Sequence, residues 1–444
     1  MKTHPSRPVA CCLVSACILA ALVSSAPVLH ATVYTWVPTT GGAWDTATAN
    51  WNDGTTNTTW GDGSGNSVVF NGFSAAATVT QSANWTLSSL TLNSTGGTST
   101  LTLNGGKSLD VSSITTASAA IDMYSKLTGS HGLTYTSTGG GRLNLKVAND
   151  YTGNTTLTGS AYILSDTVNN ALPTATTLDI GSSATFRLTN SKSQQIGLLT
   201  GSGTVVSQAS AAGNVNTLTI NTANGANGTF SGTIKVNNTA NDTLNLTVSG
   251  LGTQILTGTN SYNGATLISG GTLSLGSNLS ATSSVTISGG TLTSTVANVK
   301  LGVGGASMSA GTITPGGTGT VGTLTLAASQ AFATTGGTLN FDLLGSSSFD
   351  QIISLGSGAF SLTDTTLALS GLTSVTGTYQ LFSGFTSGSV SGLTISGLAD
   401  GFAGSLDTTG LLTVSAIPEP STYAVLAGTA FLGFAVMYRR PVRR

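Results

Sequence analysis

Two aspartates in "FDLLGSSSFDQ" (341–351), Asp342 and Asp350, form the carboxylate pair best placed in this chain for acid–base chemistry. Asp342 alternates outward from Phe341 and Leu343, and Asp350 follows Phe349. Cleaving a glycosidic bond takes two carboxylates roughly 5–10 Å apart in differently tuned surroundings. A cationic helper would have to be Arg142 or Arg187, the only arginines between residues 32 and 416. Both are far from the pair in sequence, so the spacing does not demand an active site. A polysaccharide lyase or hydrolase is therefore the alternative reading, and no catalytic residue is assigned.

The other candidates are weaker. His131 sits in "TGSHGLTY", a turn, with no Ser/Asp spacing around it, which reads as a solvated side chain. "DGSGNS" (62–67) offers Asp62, Ser64 and Asn66 at alternating positions, like part of a calcium loop. Its sixth position is Ser67 rather than Gly and its twelfth is Phe73 rather than Glu, so a plain glycine-rich turn is expected. Cys11, Cys12 and Cys17 are the only cysteines, which leaves no thiolate zinc site, disulfide or cysteine nucleophile for the body. No metal site and no cofactor are expected. Residues 32–416 hold six Lys and two Arg against fourteen Asp, a net charge of −6, which argues against nucleic acid as a partner.

Whatever chemistry exists must be positioned by strands. Short alternating runs recur every 10–14 residues or so, among them "STLTLNG" (99–105), "GRLNLKV" (141–147), "NTLTINT" (216–222) and "GTLSLGS" (271–277). Each puts Leu, Ile or Val on one face and Thr, Ser or Asn on the other, the period-2 pattern of a half-buried strand. Gly-Gly, Asn-Gly and Ser-Gly punctuate them as turns. "NDYTGNTTL" from Asn149 and "NSYNGATLI" from Asn260 share Asn-x-Tyr-x-Gly-x-Thr, aligning Tyr151 with Tyr262, Gly153 with Gly264 and Thr155 with Thr266. Single strands of this kind cannot bury their apolar faces, but stacked units can.

The expected fold is all-β: a parallel β-solenoid, wound as a right-handed β-helix, with two or three strands per rung and roughly 20–30 residues per rung. At ~4.8 Å per step the rod is 60–90 Å long, to an order of magnitude. Thr and Ser face water, and stacked Asn pair their amides from rung to rung. All five Trp, from Trp36 to Trp85, fall at the N-terminal end. They read as a cap over the first rung in preference to a sugar-stacking surface.

These units resemble the autotransporter-associated β-strand repeat of bacterial surface passengers. The Asn-x-Tyr-x-Gly-x-Thr units and the succession "TPGGTGTVGTLTL", "FDLL", "FDQII" carry the resemblance, over residues 140–355. It implies an exported surface protein. Autotransporters end in a translocating β-barrel, whereas the C-terminal pattern here is a different one.

The two ends read as addresses. Lys2 and Arg7 precede an apolar run, residues 9–23, then a more polar stretch ending in "VLHA", the pattern of a secretory signal peptide for the Sec export machinery. Cleavage is expected after Ala31, with Ala26 as a second position and the lipoprotein-like "VSAC" at Cys17 as a rival. At the other end stands "IPEPSTYAVLAG" (417–428), which holds the only Glu of the chain. Pro418 and Pro420 hold Glu419 in an extended backbone. The uncharged residues 423–438 follow, about 24 Å long as a helix against the ~30 Å bilayer core. Arg439, Arg440, Arg443 and Arg444 then mark a cytoplasmic end. Pro-Glu-Pro, apolar helix and arginine cluster in that order resemble the PEP-CTERM sorting signal of Gram-negative bacteria. The resemblance implies an exosortase-type membrane transpeptidase as partner, a transient stay in the inner membrane, and release to the cell surface or extracellular matrix, where exopolysaccharide is a candidate partner.

The resulting division is a signal peptide (1–31), a Trp-rich cap with first rungs (32–100), a repeat solenoid (101–416) and a sorting signal (417–444). It carries a signal helix at one end and a single transmembrane helix at the other. The expected function is that of a non-enzymatic structural or adhesive surface protein. A binder of glycan or ice surfaces, using outward Thr arrays, is the third reading.

Overall fold

The structure, a computed structural model, describes residues 31–73, 75–94, 100–208, 213–237, 242–279 and 281–417. The expected signal-peptide core, the Pro418–Glu419–Pro420 motif, the C-terminal apolar segment and the four terminal arginines lie outside the described residues. Every regular element among those described is a strand. None is a helix able to cross a membrane.

Alternation sets the core. In Thr100–Asn104, Leu101 and Leu103 are fully buried while Thr100 and Thr102, alternating with them, face outward. The next coil repeats this one step along. Leu101 pairs in parallel register with Ile121, Ile121 with Leu143, Leu143 with Ile163, Ile163 with Phe186, Phe186 with Val205, and Val205 with Ile234. The chain thus returns to one face every 20–30 residues or so, as a solenoid with short strands and glycine turns requires. A second face stacks Leu273, Leu292, Ile313, Leu339 and Leu367. A third stacks Ile196, Ile220, Val248, Ile268, Ile287 and Met308. The three files enclose one continuous apolar spine. About 13 turns build it, a stack roughly 60 Å long at ~4.8 Å per step.

The shared motif is a cross-coil clamp. Tyr262 is buried, and its hydroxyl lies 2.7 Å from Thr266 Oγ1, which lies 3.1 Å from Thr282 Oγ1 on the next coil. Thr282 Oγ1 in turn donates to the Gly264 carbonyl at 2.6 Å. The first unit repeats this chain. Tyr151 meets Thr155 at 2.6 Å, Thr155 meets Thr176 at 2.9 Å, and Thr176 donates to Gly153 O at 3.0 Å. Glycine is required because a Cβ on Gly264 would stand 2.3 Å from Leu244 O, and one on Gly153 would stand 2.2 Å from Gly132 N.

Asparagine behaves differently from the expected amide ladder. Asn93 does donate to Asn71 at 3.1 Å. Asn237 likewise donates to the Gln208 amide at 3.1 Å, but most of the other amides cap backbone, many on neighbouring coils. Asn149 accepts from Leu127 N and donates to Ala171 O, both at 2.7 Å, while Asn216 and Asn278 accept from Lys192 N and Lys300 N at 2.8 Å. The degenerate repeat rarely places Asn at one position in consecutive coils. It does vary turn length, which leaves backbone groups that need partners.

One break in the ladder is mended by a side chain. Leu198–Gly201 pairs with Asn227–Phe230 only at Gly201 and Phe230. Gln254, fully buried, fills the gap: its amide accepts from Leu199 N at 3.1 Å and donates to Leu199 O at 3.0 Å. Gly228 lacks the Cβ that would crowd it, which would stand 3.2 Å from Gln254 Oε1.

Both described ends add antiparallel pairing to the parallel stack, which at the N-terminal end begins with Val33–Trp36 on Ser67–Asn71. Val33–Trp36 pairs antiparallel with Trp51–Asn52, which pairs with Asn57–Thr58. Trp36, Trp44, Trp51, Trp60 and Trp85 are all buried, in mostly edge-on contact, with Trp36 and Trp51 centroids 4.8 Å apart. They leave no indole face for sugar stacking. At the other end Gly377–Gln380, Leu411–Ala416 and Phe402–Leu406 form an antiparallel sheet. Parallel pairing continues as far as Thr394–Ser396, and this antiparallel sheet lies beside that last coil. An end coil has no next coil to satisfy its edge, and antiparallel pairing back on itself does so.

Candidate functional site

The first apolar face has an outer side, and its strands bring the body's two arginines together. Arg142 opens Arg142–Leu145 and pairs in register with Tyr162 of Tyr162–Ser165. Leu164, two residues on and so on the same outer side, pairs with Arg187 of Thr185–Leu188. The Arg187 guanidinium carbon lies 4.2 Å from the Tyr162 ring centroid, a cation–π contact. Arg142 lies close enough to Tyr162 for its charge to act on the hydroxyl. Burial pushes the Tyr162 hydroxyl up, opposed by the charges of Arg187 and Arg142. Burial also pulls Arg187 down, with Arg142 adding to the pull and Tyr162 opposing it.

Around them lies a cleft of about 260 Å³, lined also by Leu164, Asp166, Thr189, Asn190 and Gln208. Asp166 is already engaged, with Lys146 Nζ at 3.0 Å and both side chains largely covered. The Nε groups of Arg142 and Arg187 are buried without a partner. Two preorganised guanidinium forks and an aromatic ring can bind an anion bidentately. They supply no general base.

The acid pair singled out from the sequence is assembled differently from the expectation. Asp342 does turn away from the spine, but it is buried beneath the turn that precedes Gly322. Its carboxylate accepts from Gly319 N at 2.6 Å and Thr320 N at 3.1 Å, and from the Ser370 hydroxyl. Asp350, fully buried, accepts from Gly322 N at 2.6 Å and Asp342 N at 2.9 Å. Burial pushes Asp350 up to about 6, against those two N–H groups and with help from the neighbouring Asp342 charge. Both carboxylates hold backbone, and neither Arg142 nor Arg187 is at hand.

His131 Nε2 lies 2.5 Å from Asp110 Oδ1 in a surface pair. Within "DGSGNS", Asp62 accepts from Thr86 N at 2.8 Å, and Asn66 accepts from Thr32 N at 3.0 Å and donates to Gly61 O at 2.7 Å. These oxygens organise a turn. Among the described residues no three His, Cys, Asp or Glu side chains gather as a metal site. Ala31, the expected cleavage position, is the first described residue and is exposed.

The outward threonines form a file that sequence inspection did not resolve. Thr253 pairs with Thr272, Thr272 with Thr291, Thr291 with Thr312, Thr312 with Thr338, Thr338 with Thr366, and Thr366 with Thr394. Seven consecutive coils thus carry a threonine at one position. Sequence spacing hid both this file and the arginine cleft, because coil length varies.

A search of the curated proteins gives no match. A family model described as the passenger-associated-transport-repeat matches residues 246–275. That stretch contains Gln254 and the Tyr262–Gly264–Thr266 clamp, so the matched segment is one in which the cross-coil bonding is concentrated.

Proposed function

We propose that this chain is an exported, non-enzymatic surface or matrix protein whose solenoid serves as a structural and adhesive body. The observation that carries the reading is a passenger-type repeat embedded in a parallel solenoid. The best acid pair supports a non-enzymatic role, since its oxygens are engaged by turn N–H groups. The signal peptide directs the chain to the Sec machinery. The apolar segment 423–438 then holds it briefly as a transmembrane helix in the inner membrane. Pro418, Glu419 and Pro420 are read by an exosortase-type transpeptidase, and Arg439, Arg440, Arg443 and Arg444 stay cytoplasmic. The motif begins one residue after Ile417, whose N–H donates to Gly401 O at 2.7 Å. The processing enzyme therefore works close to the C-terminal end of the fold.

Deleting residues 417–444 from a tagged chain tests this. Loss of the membrane-held precursor and of surface display is expected, and Glu419→Ala should slow processing. Unchanged processing and display in both variants would contradict the reading.

The threonine file favours a second reading, in which the face from Thr253 to Thr394 docks on a regular surface such as ice or a crystalline glycan. Ice-recrystallisation and crystalline-glycan pull-down assays, with Thr291→Lys and Thr338→Lys as disruptive variants, separate it from the first.

A further inference from the structure

We propose that the cleft formed by Arg142, Tyr162 and Arg187 binds an acidic polysaccharide whose sugar rings carry carboxylates. This deepens the surface-protein reading, although binding by the purified chain does not depend on export.

Four of the eight cations of residues 32–416, namely Arg142, Lys146, Arg187 and Lys235, sit on strands of one face or directly beside them. That is a local concentration in a body of net charge −6. Lys146 is neutralised by Asp166 at 3.0 Å. Arg142 and Arg187 have no carboxylate partner among the described ion pairs. Holding two like charges near one another, with both Nε groups buried and unbonded, is a cost that the fold does not recover internally. A carboxylate between the two forks would offset the like-charge part of that cost.

Tyr162 holds the Arg187 guanidinium over its ring before any ligand arrives, with Arg142 beside it in register, which lowers the ordering cost of binding. Asn190, Gln208 and Thr189 add amide and hydroxyl groups of the kind that bond sugar hydroxyls.

A polymer fits better than a free anion because the cationic row continues. Arg187 pairs with Val206 and Val206 with Lys235. Lys235 therefore lies two coils along the same outward row, roughly 10 Å away. A chain with a charged group every few ångströms meets both. The net negative body repels a polyanion as dense as nucleic acid. A neutral glycan gives the two guanidiniums no counter-charge.

The test measures binding of polygalacturonate, dextran sulfate, neutral dextran and inorganic phosphate to the detergent-purified full chain. The variants are Arg142→Gln/Arg187→Gln, Arg187→Lys, and Lys300→Gln as a distant control, each checked for retained strand signal by circular dichroism. Polygalacturonate should bind, weaken with added salt, lose at least tenfold in affinity in the double variant and several-fold in Arg187→Lys, and be unchanged in Lys300→Gln. Dextran should not bind. Failure of polygalacturonate to bind, or equal affinity in the double variant, would overturn the proposal. Competition by inorganic phosphate at polymer-like concentrations would reduce the cleft to a simple anion site and overturn it too, as would dextran sulfate binding that survives the double variant. Export assays are indifferent to all of these outcomes, so failure here leaves the surface-protein reading standing.

Discussion

Tyr262 and Thr266 meet hydroxyl to hydroxyl at 2.7 Å in the buried interior, and through Thr282 this contact reaches the following coil. Two turns of chain are thereby tied by side chains as well as by the backbone ladder.

Removing one hydroxyl from this clamp measures it. Tyr262→Phe keeps the ring and its packing but leaves Thr266 one partner short, a loss of about 1–2 kcal/mol. Gly264→Ala places a methyl against Leu244 O, where a Cβ would stand 2.3 Å away, and should cost more, about 2–4 kcal/mol. Urea unfolding midpoints should rank wild type, then Tyr262→Phe, then Gly264→Ala. Equal midpoints for all three would remove the clamp.

Gln254 gives a sharper case. Replacing it with Leu fills the same room but leaves the Leu199 N–H and C=O without partners in a dry interior. Each such group costs about 1–3 kcal/mol. Gln254→Leu should therefore destabilise despite being more apolar, and hydrogen exchange at Leu199 should accelerate first. A stabilised variant would show that water or backbone movement already serves those groups.

Asp350 makes stability depend on pH in an unusual direction. Its folded value, about 6, stands above the ordinary 3.8, so between those values the native state holds a proton that the unfolded chain has released. Stability therefore rises as pH falls from 7 toward 4 and is lost as pH rises through 6, by up to about 2–3 kcal/mol. Asp45, Asp53 and Asp407, in surface turns, work in reverse. They are held low chiefly by the Thr48 N–H, the Thr55 hydroxyl and the Thr409 hydroxyl respectively. Their contribution is present above pH 4 and disappears only in stronger acid. Unfolding midpoints should thus be higher at pH 4.5 than at pH 7.5, and Asp350→Asn should flatten the difference. A midpoint that climbs with pH over this range would contradict the assignment.

What the sequence disclosed follows from what stays local. Alternation in "STLTLNG" or "GTLSLGS" is a property of a few neighbouring residues, and it placed Leu101, Leu103, Leu273 and Leu275 in the core directly. The Tyr151–Tyr262 alignment was visible for the same reason, though the hydroxyl chain it serves depends on Thr176 and Thr282 in the next coil. Asp342 shows where local reading fails. Alternation correctly turned it away from the spine, but a turn from another coil folds over it. The arginine cleft was hidden altogether. Arg142, Tyr162 and Arg187 become neighbours only once the irregular coil lengths fix the register.

The central claim is that successive coils stack in register along one axis, and the threonine file offers a ruler for it. The body lacks cysteine, so paired spin labels can be placed at Thr253 with Thr338, Thr366 or Thr394, which lie four, five and six coils away. Stacking predicts narrow distances of about 19, 24 and 29 Å, rising by ~4.8 Å per coil. Broad distributions centred near 55–70 Å, the separation of a flexible chain of these lengths to an order of magnitude, or distances that do not climb in even steps, would contradict it.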